Sequence, residues 1–198
     1  MGKLIVVVGS TGVGKTVLTR ALCRQTNFVS GLEGHAERPF QTLFKTDPRY
    51  ALANQMDYLL LRVEQEQAIR SGAQTGVLDG GLDMDFHGFT RLFHIRGWLT
   101  DDEFDLCRRF YTLTRRLLPP PDLVIHLTAR PEVIAARLAQ RDRINIASAE
   151  DSSLLDGFLT EWLSTLEAER ILHLDVSTND QTYQNILPNL LVKIQEMI

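Results

Sequence analysis

The chain is 198 residues long, 44% hydrophobic and 23% charged, with 21 basic against 25 acidic side chains and a formal net charge of −4. A chain of this size buries a core without disulfide or metal staples, and one domain spanning residues 1–198 is the expectation. The acidic balance speaks against a nucleic-acid backbone binder, while a few local cations and helix termini can still hold a phosphate.

In chain order, the apolar run Leu4–Val8 reads as the first strand and is too short for a signal-peptide core. No uncharged apolar stretch approaches the roughly 18–20 residues that cross a bilayer. Val6 stands where a myristoylation signal opening on Met1 and Gly2 needs Ser or Thr. Cys23 and Cys107 lie far apart, each inside a helical pattern, as buried thiols of a reducing compartment do. A cytoplasmic protein without membrane contact is expected.

Further buried parallel strands are read at 76–78, 123–127 and 171–174, with a weaker one at 28–32. Helical patterns occupy 14–25, 50–70, 83–95, 100–118, 131–141, 151–167 and 181–197. The helix over 50–70 places Leu52, Met56, Leu59 and Val63 on one stripe. Thr100 and Glu103 have the spacing of a capping box, and Pro119, Pro120 and Pro121 forbid continuation of the helix that starts there. Strands alternating with helices imply a five-stranded parallel sheet with helices on both faces, because parallel strands need crossovers. Ligands of such sheets bind beyond the carboxyl ends of the strands.

Directly after the first strand, Gly9, Ser10, Thr11, Gly12, Val13, Gly14, Lys15 and Thr16 satisfy the phosphate-loop spacing of Gly, four residues, then Gly-Lys-Thr. Glycines let successive backbone N–H groups turn inward as an anion nest, and the following helix adds the positive end of its dipole. Lys15 then reaches the terminal phosphates of a nucleoside triphosphate such as ATP, and Thr16 offers a hydroxyl to Mg²⁺. The strand at 76–78 ends on Asp79, a carboxylate that faces the loop and can order the same metal. No Glu follows Asp79, as it does in water-activating ATPases, and no Asn-Lys-x-Asp segment reads guanine. Transfer of a γ-phosphoryl group to a small acceptor is favoured.

From Lys3 to about Asp180 the sequence resembles the deoxyribonucleoside kinase family. Leu32, Glu33, Gly34 and His35 stand where that family has Leu-Glu-Pro-Val, and Asp47, Pro48, Arg49 and Tyr50 resemble its Asp-Pro-x-Arg-Trp. Gln55 and Arg62 follow at family spacing. Asp79, Gly80 and Gly81 occupy the Asp-Arg-Ser position, with Asp85 and Phe89 six and ten residues after Asp79. Arg137, Arg141 and Arg143 match an arginine-rich lid around 141–147.

The resemblance implies a P-loop NTPase three-layer α/β fold and 5′-phosphorylation of a deoxyribonucleoside by ATP with Mg²⁺. Glu33 is then the general base, while Lys15, Arg141, Arg143 and a metal on Thr16 and Asp79 stabilise the transferring group. Arg137 belongs with the nucleotide-binding set. Gln55 and Arg62, seven residues apart, share a helix face. By the resemblance, Gln55 pairs with the base edge, Phe89 stacks on it, and Arg62 with Asp85 forms the charged pair of members that take purine deoxynucleosides or deoxycytidine. A homodimer is implied, with the helices at 83–95 and 151–167 as candidate contacts.

Three positions depart from the pattern. Gly80 replaces an arginine, for which Arg38 or Arg143 are the candidate substitutes, Phe44 and Lys45 replace a tyrosine that holds the 3′-hydroxyl, and Ile146 replaces a lid glutamate. They keep two alternatives open: a monophosphate kinase of the thymidylate type using Arg38, Arg49 and Arg62 for the acceptor phosphate, and a nucleotide-binding regulator without turnover.

Overall fold

The computed structural model describes residues 2–31, 38–139, 149–178 and 182–198. Glu33, Arg141, Arg143 and Ile146, and with them the lid, lie outside the described residues. Five strands form one parallel sheet: β1 (Leu4–Val8), β2 (Val29–Gly31), β3 (Gly76–Asp79), β4 (Leu123–Thr128) and β5 (Ile171–Asp175), in spatial order β2-β3-β1-β4-β5. β1 is central and wholly buried because helices cover both faces, which is why it reads as an unbroken apolar run instead of an alternating one.

Nine α-helical segments are described: α1 (Lys15–Gln25), α2 (Pro39–Thr46), α3 (Ala51–Ser71), α4 (Leu82–Met84), α5 (Arg91–Ile95), α6 (Asp101–Leu117), α7 (Pro131–Ala139), α8 (Ala149–Leu163) and α9 (Leu187–Met197). Ile5, Val7 and Ile125 pack with Leu18 and Leu22 of α1 and Leu190 and Ile194 of α9. On the opposite face Leu4, Val6 and Val124 pack with Ile69 of α3 and Leu159 and Trp162 of α8. The expected three layers are therefore present. The capping box also forms: Thr100 Oγ1 accepts from Glu103 N, and Glu103 Oε2 accepts from Thr100 N at 2.8 Å.

The structure differs locally from expectation at four places. The helix expected over 83–95 is divided by a π turn, Asp85–Thr90, between α4 and α5. The Asp85 carbonyl there accepts from Gln55 Nε2 and Thr90 Oγ1, both at 3.1 Å. The last helix starts at Leu187 instead of residue 181, because Tyr183 adopts φ 58° and buries its ring in the core. α8 ends at Leu163, followed by a 3₁₀ turn, Ala168–Arg170, before β5. α2 and the 3₁₀ turn Pro48–Tyr50 were not expected; α2 places Phe44 against Phe93 and Trp98.

The stripe Leu52, Met56, Leu59 and Val63 packs on Leu82, Phe86 and Cys107 as read. Yet α3 also buries a polar face of Asn54, Gln55, Arg62 and Glu66, none above 3% exposed. Both cysteines are free thiols; Cys107 is buried, which pushes its pKa up to about 11, and Cys23 is only partly so. No described helix is long and apolar enough to cross a membrane.

Candidate active site

The parallel register brings the carboxyl ends of β1 and β3 together, with Val7 opposite Asp79, so the loop after β1 and the last residue of β3 meet. Thr16 Oγ1 donates a short hydrogen bond to Asp79 Oδ2, which joins the two expected metal-ordering residues. Their hard oxygens suit Mg²⁺. Lys15 Nζ donates to the carbonyls of Gly9 (2.8 Å) and Ser10 (3.0 Å), so its ammonium lies across the mouth of the loop. Burial raises the Asp156 carboxyl above the usual carboxylate range, against the pull of Lys15 and the Ser10 hydrogen bond.

Gly12 and Gly14 have φ of +90° and +115°, conformations that side chains rarely adopt. A Cβ on Gly14 would meet the Tyr183 hydroxyl, and one on Gly12 would stand 2.8 Å from Leu138 of α7. The loop is thus braced from outside as well as nested. Arg137 continues this bracing: its guanidinium donates to the carbonyls of Val13 (2.6 Å) and Val176 (3.0 Å) and is not part of the cleft wall. Arg137, expected in the nucleotide-binding set, is placed against the loop's backbone. Val13 has its side chain in the core and contributes only main chain.

One continuous cleft runs from this loop to the polar face of α3. Thr11, Gly12, Gly14, Lys15 and Thr16 form one end, and Asn54, Gln55, Tyr58 and Arg62 form a wall. Asp79, Gly80, Met84, Asp85 and Phe89 close the other side. Four of the five expected acceptor residues, Gln55, Arg62, Asp85 and Phe89, are therefore brought together, and the fifth, Glu33, lies outside the described residues. Arg62 Nε donates to Asp85 Oδ2 at 2.7 Å, with side chains 3% and 7% exposed, and Arg62 Nη1 donates to Gln65 Oε1 at 3.1 Å. Gln55 uses one amide hydrogen on the Asp85 carbonyl, which leaves its Oε1 and a second hydrogen for a ligand edge.

The cation over Gly80 is Arg62: a Cβ on Gly80 would stand 3.3 Å from its Nη2. Arg38 does not take that place, because Asp57 holds its guanidinium, with Nη2 to Oδ1 at 2.5 Å. Arg49 is likewise held by Asp47 at the surface, so Arg38, Arg49 and Arg62 do not assemble into a phosphate site. Sequence reasoning missed Asn54 and Tyr58, which helical spacing from Gln55 and Arg62 places on the same face. The buried Asn54 Oδ1 has no hydrogen-bond partner among the described residues. Met84, Phe93 and Tyr183 carried no local signal.

A family model for deoxynucleoside kinases matches residues 5–198. The deoxyadenosine kinase of Dictyostelium discoideum is 31% identical over 144 residues, 72% of this chain and 58% of that relative, so the chain spans less than two thirds of its length. The deoxyadenosine/deoxycytidine kinase of Bacillus subtilis (strain 168) is 24% identical over 202 residues, covering 98% of this chain and 93% of that protein. Among solved structures, deoxyadenosine kinase from M. mycoides with bound dATP has a TM-score of 0.78 at 18% identity, covering 95% of this chain and 98% of the other. The same kinase with products dCMP and a flexible dCDP bound has a TM-score of 0.76 at 18% identity, covering 96% of this chain and 98% of the other. The fold is thus the P-loop NTPase type.

Substituting Gly14→Ala forces a methyl against Tyr183 at positive φ, a strain of about 1–2 kcal/mol. Affinity for a nucleoside triphosphate, measured by calorimetry, is expected to fall about tenfold; unchanged affinity would contradict the bracing described above.

Proposed function

Because the chain belongs to the deoxynucleoside kinase family, we propose that it transfers the γ-phosphoryl group of ATP to the 5′-hydroxyl of a deoxyribonucleoside. The observation that carries this reading is the single cleft linking the phosphate loop to the wall of Gln55, Arg62, Asp85 and Phe89. A donor and an acceptor seated at its two ends meet in line near Asp79. Lys15 holds the terminal phosphates, and Thr16 with Asp79 would hold Mg²⁺, which when bound neutralises charge developing on the transferring group. Glu33, which follows β2 in sequence, takes the proton of the attacking hydroxyl, and Arg141 and Arg143 stabilise the phosphoryl group from the lid.

The acceptor is a purine deoxynucleoside or deoxycytidine. Buried Arg62 and Asp85 form a paired donor and acceptor that reads a base edge, Phe89 offers a stacking face, and the names of the two relatives above agree with this class. The monophosphate alternative lacks support, since Arg38 and Arg49 are engaged elsewhere. The activity belongs to nucleotide salvage, and the cytoplasm, where ATP is plentiful, is its proposed place.

A homodimer is also proposed, through a different face from the one first expected. α8 turns Leu155, Phe158, Leu159 and Trp162 inward, and most of residues 82–93 are buried. Exposed apolar residues instead form a row on α6 at Leu106, Leu113 and Leu117, with half-buried Phe110 completing the 4-3-4 spacing of a helix seam. A second copy of the same helix fits such a seam by two-fold symmetry.

Turnover with ATP, Mg²⁺ and each deoxynucleoside, beside the same assays with monophosphates, tests the reaction. Glu33→Gln is expected to lower kcat by roughly 10²–10⁴-fold; turnover unchanged in that variant, or confined to monophosphates, would refute the assignment. In sedimentation velocity the wild type is expected to run as a dimer and Leu113→Glu as a monomer, whereas identical sedimentation of the two would refute the seam.

A further inference from the structure

The acceptor wall has a back side that the reaction itself does not use. In the helical run from α4 through the π turn, Asp85 and Phe89 line the cleft, while Asp83 and His87, two positions before each, bond residues of α6. Residues four apart share a helix face and residues two apart lie nearly opposite, so one short segment presents two functional faces. Arg115 of α6 spans the rear one. Its Nε and Nη2 donate to Asp83 Oδ1 (2.9 Å) and Oδ2 (2.8 Å), and its Nη1 and Nη2 donate to Glu66 Oε2 and Oε1, both at 2.8 Å. Glu66 is fully buried on α3, one turn beyond Arg62. Tyr111, one turn before Arg115, donates to Asp83 Oδ1 at 2.8 Å. Its only hydrogen is thereby used, so its oxygen accepts from His87 Nε2 at 3.0 Å.

We infer that Arg115 and Tyr111 are positioning residues for the acceptor: by holding Asp83, His87 and Glu66 from behind, they set the relative placement of Asp85, Phe89 and Arg62, and with it the discrimination between bases. The inference rests on the proposed reading of that wall as the acceptor site.

Three physical points carry it. One planar guanidinium uses both edges on two carboxylates from different elements, a geometry that a lysine ammonium cannot reproduce. Two buried carboxylates share one cation, so a shift of either element strands a charge away from water, and the network tolerates one arrangement only. Burial raises the Glu66 pKa against the pull of Arg115. Burial likewise works against the Arg115 charge, but Asp83 and Glu66 outweigh it and hold the guanidinium protonated. Finally, the tie points bracket the wall: Asp83 and His87 flank Asp85 in sequence, and Glu66 follows Arg62 by one turn. A second buried arginine on α3 provides the contrast. Arg70 is paired with Asp122 and donates to the Pro120 carbonyl at 2.7 Å, at the amino end of the strands and far from the cleft wall.

The test is steady-state kinetics with deoxyadenosine and deoxycytidine on the wild type, Arg115→Lys, Tyr111→Phe and the control Asp122→Asn, each with its melting temperature. Arg115→Lys keeps a counter-ion for both carboxylates and loses only the fork. The KM for deoxynucleoside is expected to rise about tenfold and the kcat/KM ratio between the two acceptors to shift about threefold or more, as misplacement of a binding group does. The KM for ATP and kcat stay within about twofold. Tyr111→Phe moves the same quantities in the same direction by a smaller factor, and serves alone if Arg115→Lys does not fold. Asp122→Asn lowers the melting temperature with KM and the ratio unchanged. The inference is overturned if both α6 variants lose stability while KM and the ratio stay at wild-type values, or if Asp122→Asn moves them equally. A wild type that phosphorylates no deoxynucleoside overturns the acceptor reading itself, and this inference with it.

Discussion

Burying one guanidinium against one carboxylate constrains how the cleft wall can be built. Arg62 and Asp85 meet at 2.7 Å at almost no exposure, and either charge left alone there would cost about 3–5 kcal/mol. The pair therefore dictates its surroundings. Asp85 must be aimed back across the cleft at α3, which the π turn achieves by re-spacing the helix between α4 and α5. Gln55 and Thr90 take up the Asp85 carbonyl. Gly80 leaves room for the guanidinium head, since a side chain there would press on Arg62 Nη2.

The two ends of the cleft are built by different chemistry. The phosphate end is mostly main chain, glycines at positive φ and a helix start with outside braces from Arg137 and Tyr183 that bond loop carbonyls, to which Lys15, Thr16 and Asp79 add side chains. Such a site reads charge and shape and is indifferent to the base attached. The acceptor end is side chain, drawn from α3 and the π turn, and there the identity of each residue sets what can bind. Under the proposed acceptor reading, selectivity resides in helices that α6 braces from behind through Asp83, His87 and Glu66.

Legibility in the sequence followed the range of the interaction. The phosphate loop, the buried strands and the Thr100 capping box depend on neighbours within a few residues, and each was readable at its place. The wall of Gln55, Arg62, Asp85 and Phe89 was legible only through the family resemblance, because apolar periodicity marks the Leu59 stripe of α3 and is blind to a buried polar face. The π turn, the positive φ of Tyr183 and the bracing role of Arg137 were not legible. Each arises where a long-range contact outweighs local preference: Asp85 with α3, Tyr183 with Gly14, Arg137 with the Val13 carbonyl. Glu33, Arg141 and Arg143 lie outside the described residues and rest on the sequence.

In the proposed acceptor site Arg62 and Asp85 act as one unit in recognising the nucleoside. A double-mutant cycle in kcat/KM for deoxyadenosine, using Arg62→Gln, Asp85→Asn and their combination, measures it directly. Each single substitution is expected to lower kcat/KM by about 100-fold and the double to lose little more than either, a coupling of about 2–3 kcal/mol. Losses that simply multiply, to about 10⁴-fold in the double variant, would contradict it.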